Sequence, residues 1–270
     1  MLNSSTNTSD KKQSQPSWPR AVVLGVLVAV LVVVTTTLLV VLVARVAPFE
    51  HLAEPMIVEQ ARQWSEWIEG ESPNYYRVVG AAQRDSFHEP SEPGIRYSEL
   101  DALGRAGSAW GCITYDMMRE GLAREREDMS SLEPSGWGHN TKVTIAMPNG
   151  NEYHGYLFNR SHLIAKSLGG ADILENVVCA TRTQNVGAND GEGGMSYPEG
   201  LARSWLEQHP QGQLFYAATP LYEEGELVCR SVMVDMLASD GSIDARFEVY
   251  NTAKGFALNY ADGSFVEDGR

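Results

Sequence analysis

Cysteine is scarce in this chain, and basic charge is in short supply. Only Cys112, Cys179 and Cys229 occur in 270 residues, and no two are close in sequence. That spacing excludes a zinc knuckle. It leaves room for at most one disulfide with a third thiol over, or for three small buried apolar residues. Lys and Arg number 21 against 35 Asp and Glu, a net charge of −14. Residues 1–50 hold four of the cations and two of the acids, so the remainder is more acidic still. Such a balance argues against a broad basic groove. A polyanionic ligand would have to meet a local cluster of cations together with a bound metal. Internal repeats are absent, and no repeat architecture is indicated.

One long apolar run is present. Residues 21–44, AVVLGVLVAVLVVVTTTLLVVLVA, contain no charge. As a helix they would cross about 30 Å of hydrocarbon with some length left for tilt. The run is longer than a signal-peptide core, and Arg45 follows it where a cleavage site wants a small residue. The expectation is an uncleaved transmembrane helix. Lys11, Lys12 and Arg20 precede it, so the positive-inside rule places the polar tail 1–20 in the cytoplasm and the rest outside the cell membrane, a single-pass topology.

Beyond the run, residues 45–95 read as stalk and linker. Met56, Ile57, Ala61, Trp64, Trp67 and Ile68 stand near helical spacing, which predicts an amphipathic helix. GESPNYY and HEPSEPG are rich in turn residues. The main domain, 96–270, should then begin near Arg96. YSELDALGRAGSAWGCITYDMMREGL predicts a short strand and a helix. Two β-rich runs flank Pro148-Asn149-Gly150-Asn151, a hairpin signal, and the second run delivers the chain to Asn159-Arg160-Ser161-His162. PEGLARSWLEQHP predicts a helix with Pro198 in its first turn. Four further β-rich runs follow, so the fold class is α+β with an antiparallel sheet.

Taken singly, the polar residues of the middle segment are bland. His162 at a strand end and Arg160 beside it fit an ordinary surface. Asn176 fits a helix cap, Asn185 a turn, and Glu199 with Arg203 an exposed i,i+4 ion pair. Taken together they supply what hydrolysis of a phosphodiester needs. A neutral imidazole accepts the proton of a water. A hard cation is held by an amide oxygen and its own waters, and a carboxylate one layer out orders those waters. Arginine forks hold phosphate oxygens.

FNRSHLIAKSLGG, ENVVCATRTQN and YPEGLAR together resemble the DNA/RNA non-specific endonucleases of the ββα-metal (His-Me finger) superfamily. The resemblance runs from about Arg96 to Gly263, with YSELDALGRAG and EPSGWG in support. It is nearest to the membrane-anchored nucleases through which competence systems take in DNA. It implies a ββα-metal finger with His162 as general base and Arg160 on phosphate. Asn185 would be the direct ligand of Mg²⁺, with Mn²⁺ as alternative. Asn176 would orient the histidine or the metal's waters, Glu199 would be the outer carboxylate, and Arg203 would stabilise charge. Arg182 and Lys166 would add phosphate contacts. The implied substrates are DNA and also RNA, and a DNA-uptake or secretion machinery is the implied partner. The family motif Asp-Arg-Gly-His is here Asn159-Arg160-Ser161-His162, with a charge lost at the first position and a side chain gained at the third. Those departures keep open a second expectation, a catalytically impaired DNA-binding or surface module.

Overall fold

The computed structural model describes residues 64–84, 92–125, 127–189 and 191–269. The expected transmembrane helix, the cytoplasmic tail and most of the expected amphipathic helix lie outside the described residues. Among the described residues, no helix is long and apolar enough to cross a membrane.

A six-stranded antiparallel sheet forms the frame. Its strands are β1 (Tyr76–Gly80), β2 (Gly94–Tyr97), β3 (Ala109–Thr114), β8 (Gln213–Leu221), β9 (Ser231–Ala238) and β10 (Asp244–Tyr250). They lie in the order β1-β10-β9-β8-β3-β2. The central strands β8 and β9 are buried over almost their whole length, so both of their faces are covered. The chain leaves β3 straight into helix α1 (Tyr115–Ala123), whose first turn is capped by Thr114 Oγ1 accepting from Met117 N at 3.4 Å.

Two hairpins follow. The first pairs β4 (Lys142–Ala146) with β5 (Glu152–Tyr156). Its turn closes by Gly150 N donating to Met147 O at 3.0 Å, and Gly150 takes the left-handed conformation at φ 83°. The second pairs β6 (Phe158–His162) with β7 (Val177–Thr181). Helix α2 (Arg182–Val186) starts directly from β7, with Thr181 Oγ1 accepting from Gln184 N at 3.0 Å. Helix α3 (Ser196–Gln208) carries Pro198 in its first turn, as the sequence predicts. A small pair, β11 (Phe256–Leu258) and β12 (Phe265–Glu267), ends the fold.

The second hairpin is wedged between two apolar clusters, which fixes where it can sit. Leu163, Ile164, Val178 and Ala180 join the main core with Ile113, Met118, Leu206, Tyr216, Val234 and Phe247. Phe158 and Cys179 face a second cluster with Ile145, Leu157, Val228 and Phe256. Successive residues of β7 thus serve opposite cores, as the two-residue period of a strand requires. Burying each large apolar side chain is worth about 1.5–3 kcal/mol.

Three local expectations differ from the structure. Residues 64–68 are not helical; Trp67 stacks on Tyr75 at 4.7 Å and donates to Ser72 O at 2.7 Å instead. β1 falls within the stretch expected to be linker, yet it pairs with β10 and is part of the same compact unit, which begins at Gln63. The strand entering Asn159 is not one continuous run either. It breaks at Leu157, where the chain changes partner from β4 to β7. All three cysteines are free and buried, the bland alternative.

Candidate active site

Arg160 and His162 are two apart on β6 and share a face of the finger. The opposite wall comes from α2 and α3. A cleft of about 390 Å³ is lined by Arg160, His162, Lys166, Asp172, Asn185, Ser196 and Glu199, among others. Four of the six residues expected to act together, Arg160, His162, Asn185 and Glu199, therefore line one cleft with Lys166, although Arg160 and Glu199 are 39 positions apart; Asn176 and Arg203 do not line it.

His162 has a partner that sequence reasoning missed. Its Nε2 lies 2.7 Å from Asp172 Oδ1, and the two side chains are 18% and 6% exposed. Nothing local marks Asp172 as a site residue. It reaches the ring because the loop between β6 and β7 folds back tightly. Gly169 closes a 3₁₀ turn over Lys166–Leu168 at φ 98°. Gly170 lies so close to the chain that a Cβ there would fall 1.8 Å from Ile164 O. This loop geometry explains the glycine pair that follows the histidine.

Asn176 does not line the cleft. It is fully buried, and its amide is spent on backbone: Oδ1 accepts from Ile164 N at 2.9 Å, while Nδ2 donates to Ile164 O at 2.9 Å and Ala171 O at 2.8 Å. The expected metal-side role is corrected accordingly. Asn176 clamps the loop one residue from Asp172, and so fixes the histidine side from behind. It is not a helix cap; it ends a 3₁₀ turn. Asn176→Leu would strand the two buried backbone groups of Ile164 and release the half-buried carbonyl of Ala171. The expected cost is about 2–3 kcal/mol, read as a lower midpoint in thermal unfolding.

Asn185 is in helix α2 rather than a turn. Its Oδ1 accepts from Ser161 Oγ at 3.2 Å, and its backbone carbonyl accepts from Ser196 Oγ at 3.1 Å. Ser161, the side chain gained relative to the family motif, is buried against this amide. Glu199 stands on α3 at 14% exposure, with Arg203 Nη1 3.9 Å away. Burial pushes the Glu199 carboxyl up to about 8, and Arg203 pulls in the other direction. Arg203 also donates to Ser167 Oγ at 2.9 Å, tying α3 to the glycine loop.

The expected phosphate contacts have structural partners as well. Arg160 donates to Ser130 O at 2.8 Å and to Leu132 O, and its guanidinium lies 4.1 Å over the Trp137 ring. It therefore pins the loop that roofs the finger. Lys166 Nζ donates to Gly121 O at 3.2 Å and to Arg124 O, carbonyls at the C-terminal end of α1. Arg182 lies 5.1 Å over the Tyr153 ring and lines a neighbouring cleft of about 690 Å³ that shares Met129, Arg160 and Asn185 with the first.

Among the described residues, no group of three His, Cys, Asp or Glu side chains is placed to hold a metal. That set of donors does not suit a structural zinc site. One amide oxygen with a carboxylate across the cleft does suit a hard divalent cation that keeps most of its water.

Comparison with known proteins agrees with this architecture. The sequence model of the DNA/RNA non-specific endonuclease family matches residues 95–261. A deoxyribonuclease of Streptococcus dysgalactiae subsp. equisimilis is 30% identical over 276 aligned positions, covering 84% of this chain and 82% of its own. The structure of Sda1 nuclease with a bound zinc ion superposes with a TM-score of 0.70 at 35% identity, covering 74% of this chain and 99% of that one. NucA from Streptococcus agalactiae, crystallised with magnesium, shares the fold at a TM-score of 0.56 and 18% identity, covering 74% and 94% of the two chains. With its finger, its histidine cleft and these relatives, the chain belongs to the DNA/RNA non-specific endonuclease family and is a nuclease that hydrolyses phosphodiester bonds.

Proposed function

We propose that this nuclease cuts DNA, and RNA as well, at internal phosphodiester bonds without reading bases, using His162 as general base beside one divalent cation at Asn185. The observation that carries the reading is the shared cleft: His162 enters from β6, while Asn185 and Glu199 face it from α2 and α3.

The residues divide the work by their chemistry. With Nε2 bonded to the Asp172 carboxylate, the ring proton belongs on Nε2 and the basic lone pair on Nδ1. That lone pair takes the proton of the attacking water. A divalent cation, Mg²⁺ with Mn²⁺ as alternative, supplies positive charge against the phosphate and the leaving oxygen when bound. Asn185 Oδ1 would hold it directly, and Glu199 would order its water shell. Ser161 aims the Asn185 amide, so the departure from the family's glycine supports the ligand. Arg203 adds a fixed positive charge behind Glu199, 3.9 Å from its carboxylate. Arg160 holds the roof through Nε and Nη2, so that only its Nη1 would be turned to the phosphate.

The acidic composition fits a substrate gripped locally, with no long basic track. The apolar run 21–44 supports an anchor that leaves the nuclease domain outside the cell, in reach of DNA-uptake or secretion machinery.

Plasmid nicking tests the reaction. Cleavage is expected with Mg²⁺ and none with chelator; equal rates in both would end the metal-dependent reading. Asn185→Ala is expected to raise the Mg²⁺ concentration for half-maximal rate at least about tenfold, with little change in thermal midpoint. An unchanged Mg²⁺ titration would remove Asn185 as ligand.

A further inference from the structure

The cleft beside the catalytic one is lined by four aromatic residues, Trp137, Tyr153, Tyr156 and Phe158, which is more than a phosphate groove needs. Tyr156, the last residue of β5, is 52% exposed at its rim. Lys142, its cross-strand partner, places Nζ 5.8 Å over that ring. Tyr153 lies flat along the same hairpin: its hydroxyl donates to Tyr156 O at 3.1 Å, and its ring rests on Gly155. A Cβ at Gly155 would fall 2.5 Å from the Tyr153 Cζ, so only glycine lets the ring lie there. The Arg182 guanidinium sits 5.1 Å from the ring centre of Tyr153, completing a stack of backbone, ring and cation. Trp137 under Arg160 makes a second such pair in the same cleft.

Continuity ties this lining to the chemistry. Met129, Arg160 and Asn185 line both clefts, so a strand with its phosphate at His162 would have its next nucleotides within reach of the rings. A duplex keeps its base faces stacked on one another and offers an aromatic ring only phosphate and sugar. An unpaired strand exposes them, and each base stacked on an aromatic contributes about 1–3 kcal/mol without regard to sequence. The chain's net charge of −14 weakens long-range attraction for any polyanion, which leaves short-range stacking with more of the work.

From the exposed Tyr156 ring, the Arg182–Tyr153–Gly155 stack and their continuity with the His162 cleft, we infer that this hairpin is a stacking platform for unpaired bases, giving the enzyme a subsite for single-stranded nucleic acid. The inference rests on the nuclease reading above for the placement of the scissile phosphate.

The test is equilibrium binding of the full chain to a fluorescent single-stranded oligodeoxynucleotide of about 12 nucleotides and to the same sequence as a duplex, with EDTA present to suppress hydrolysis. Tyr156→Leu is expected to weaken single-strand binding about 5- to 50-fold and to leave duplex binding within about twofold; Tyr156→Phe, which keeps the ring, retains single-strand affinity. A 2-aminopurine in the strand should be quenched on binding to the parent chain and not to Tyr156→Leu. Equal losses for single strand and duplex, unchanged single-strand affinity in Tyr156→Leu, or no measurable single-strand binding by the parent chain each overturn the platform. Ring-dependent binding by a chain that nicks no plasmid with Mg²⁺ keeps the platform and overturns the nuclease mechanism instead.

Discussion

His162→Ala is expected to lower the rate of plasmid nicking by about 10² to 10⁴-fold while the protein stays folded. Removing the imidazole takes away the group that accepts the water's proton, and the other titratable side chains lining the cleft are placed for other work. Asp172 is bonded to the ring, Lys166 holds carbonyls of α1, and Glu199 faces from α3. The ring is partly exposed and lies outside both apolar clusters, so its loss removes little packing. The thermal midpoint should therefore move by only a few degrees. Nicking at the parent rate by a folded His162→Ala chain would remove the histidine from the mechanism altogether.

Asp172→Asn is expected to have the next largest effect, a fall in kcat of about 100-fold or more, with KM for DNA and the Mg²⁺ requirement little changed. The carboxylate only accepts hydrogen bonds, so it holds the ring proton on Nε2. An amide can instead donate to Nε2, which moves the proton to Nδ1 and blocks the basic lone pair. The substitution is isosteric and leaves the Asn176 clamp intact, so the loss is chemical. Single-turnover cleavage with excess enzyme isolates that step. A full-rate Asp172→Asn enzyme would mean that the 2.7 Å pair only stabilises the loop.

Both effects depend on the loop from Ile164 to Asn176. Its shape comes from the αL turn at Gly169, the close approach at Gly170 and the buried amide of Asn176. These three features carry no catalytic group. They put a carboxylate ten residues downstream of the histidine against its ring.

Several features were legible in the sequence because their causes are local. Pro148-Asn149-Gly150 reads as a turn because glycine alone accepts φ 83° cheaply. Helix α3 reads as a helix from its apolar spacing and Pro198. Asn159-Arg160-Ser161-His162 reads as the counterpart of a family motif because its four residues are consecutive, so the resemblance needs no tertiary information. The order of chemical groups along the chain was enough to identify the family.

Other features were not local, and only tertiary packing decided them. β1 reads as linker because the turn-rich stretches GESPNYY and HEPSEPG flank it; it is a strand because β10 offers its edge. Asn176 carries the same side chain whether it meets a cation or a backbone, and the glycine loop brought backbone to it. Arg160 and Lys166 read as phosphate contacts by charge, and the fold set each against carbonyls. Asp172 has no signature at all, since its partner is chosen by loop closure. A sequence determines which donors and acceptors are available. Which of them meet depends on how the chain closes between two buried apolar clusters, and that is a property of the folded whole.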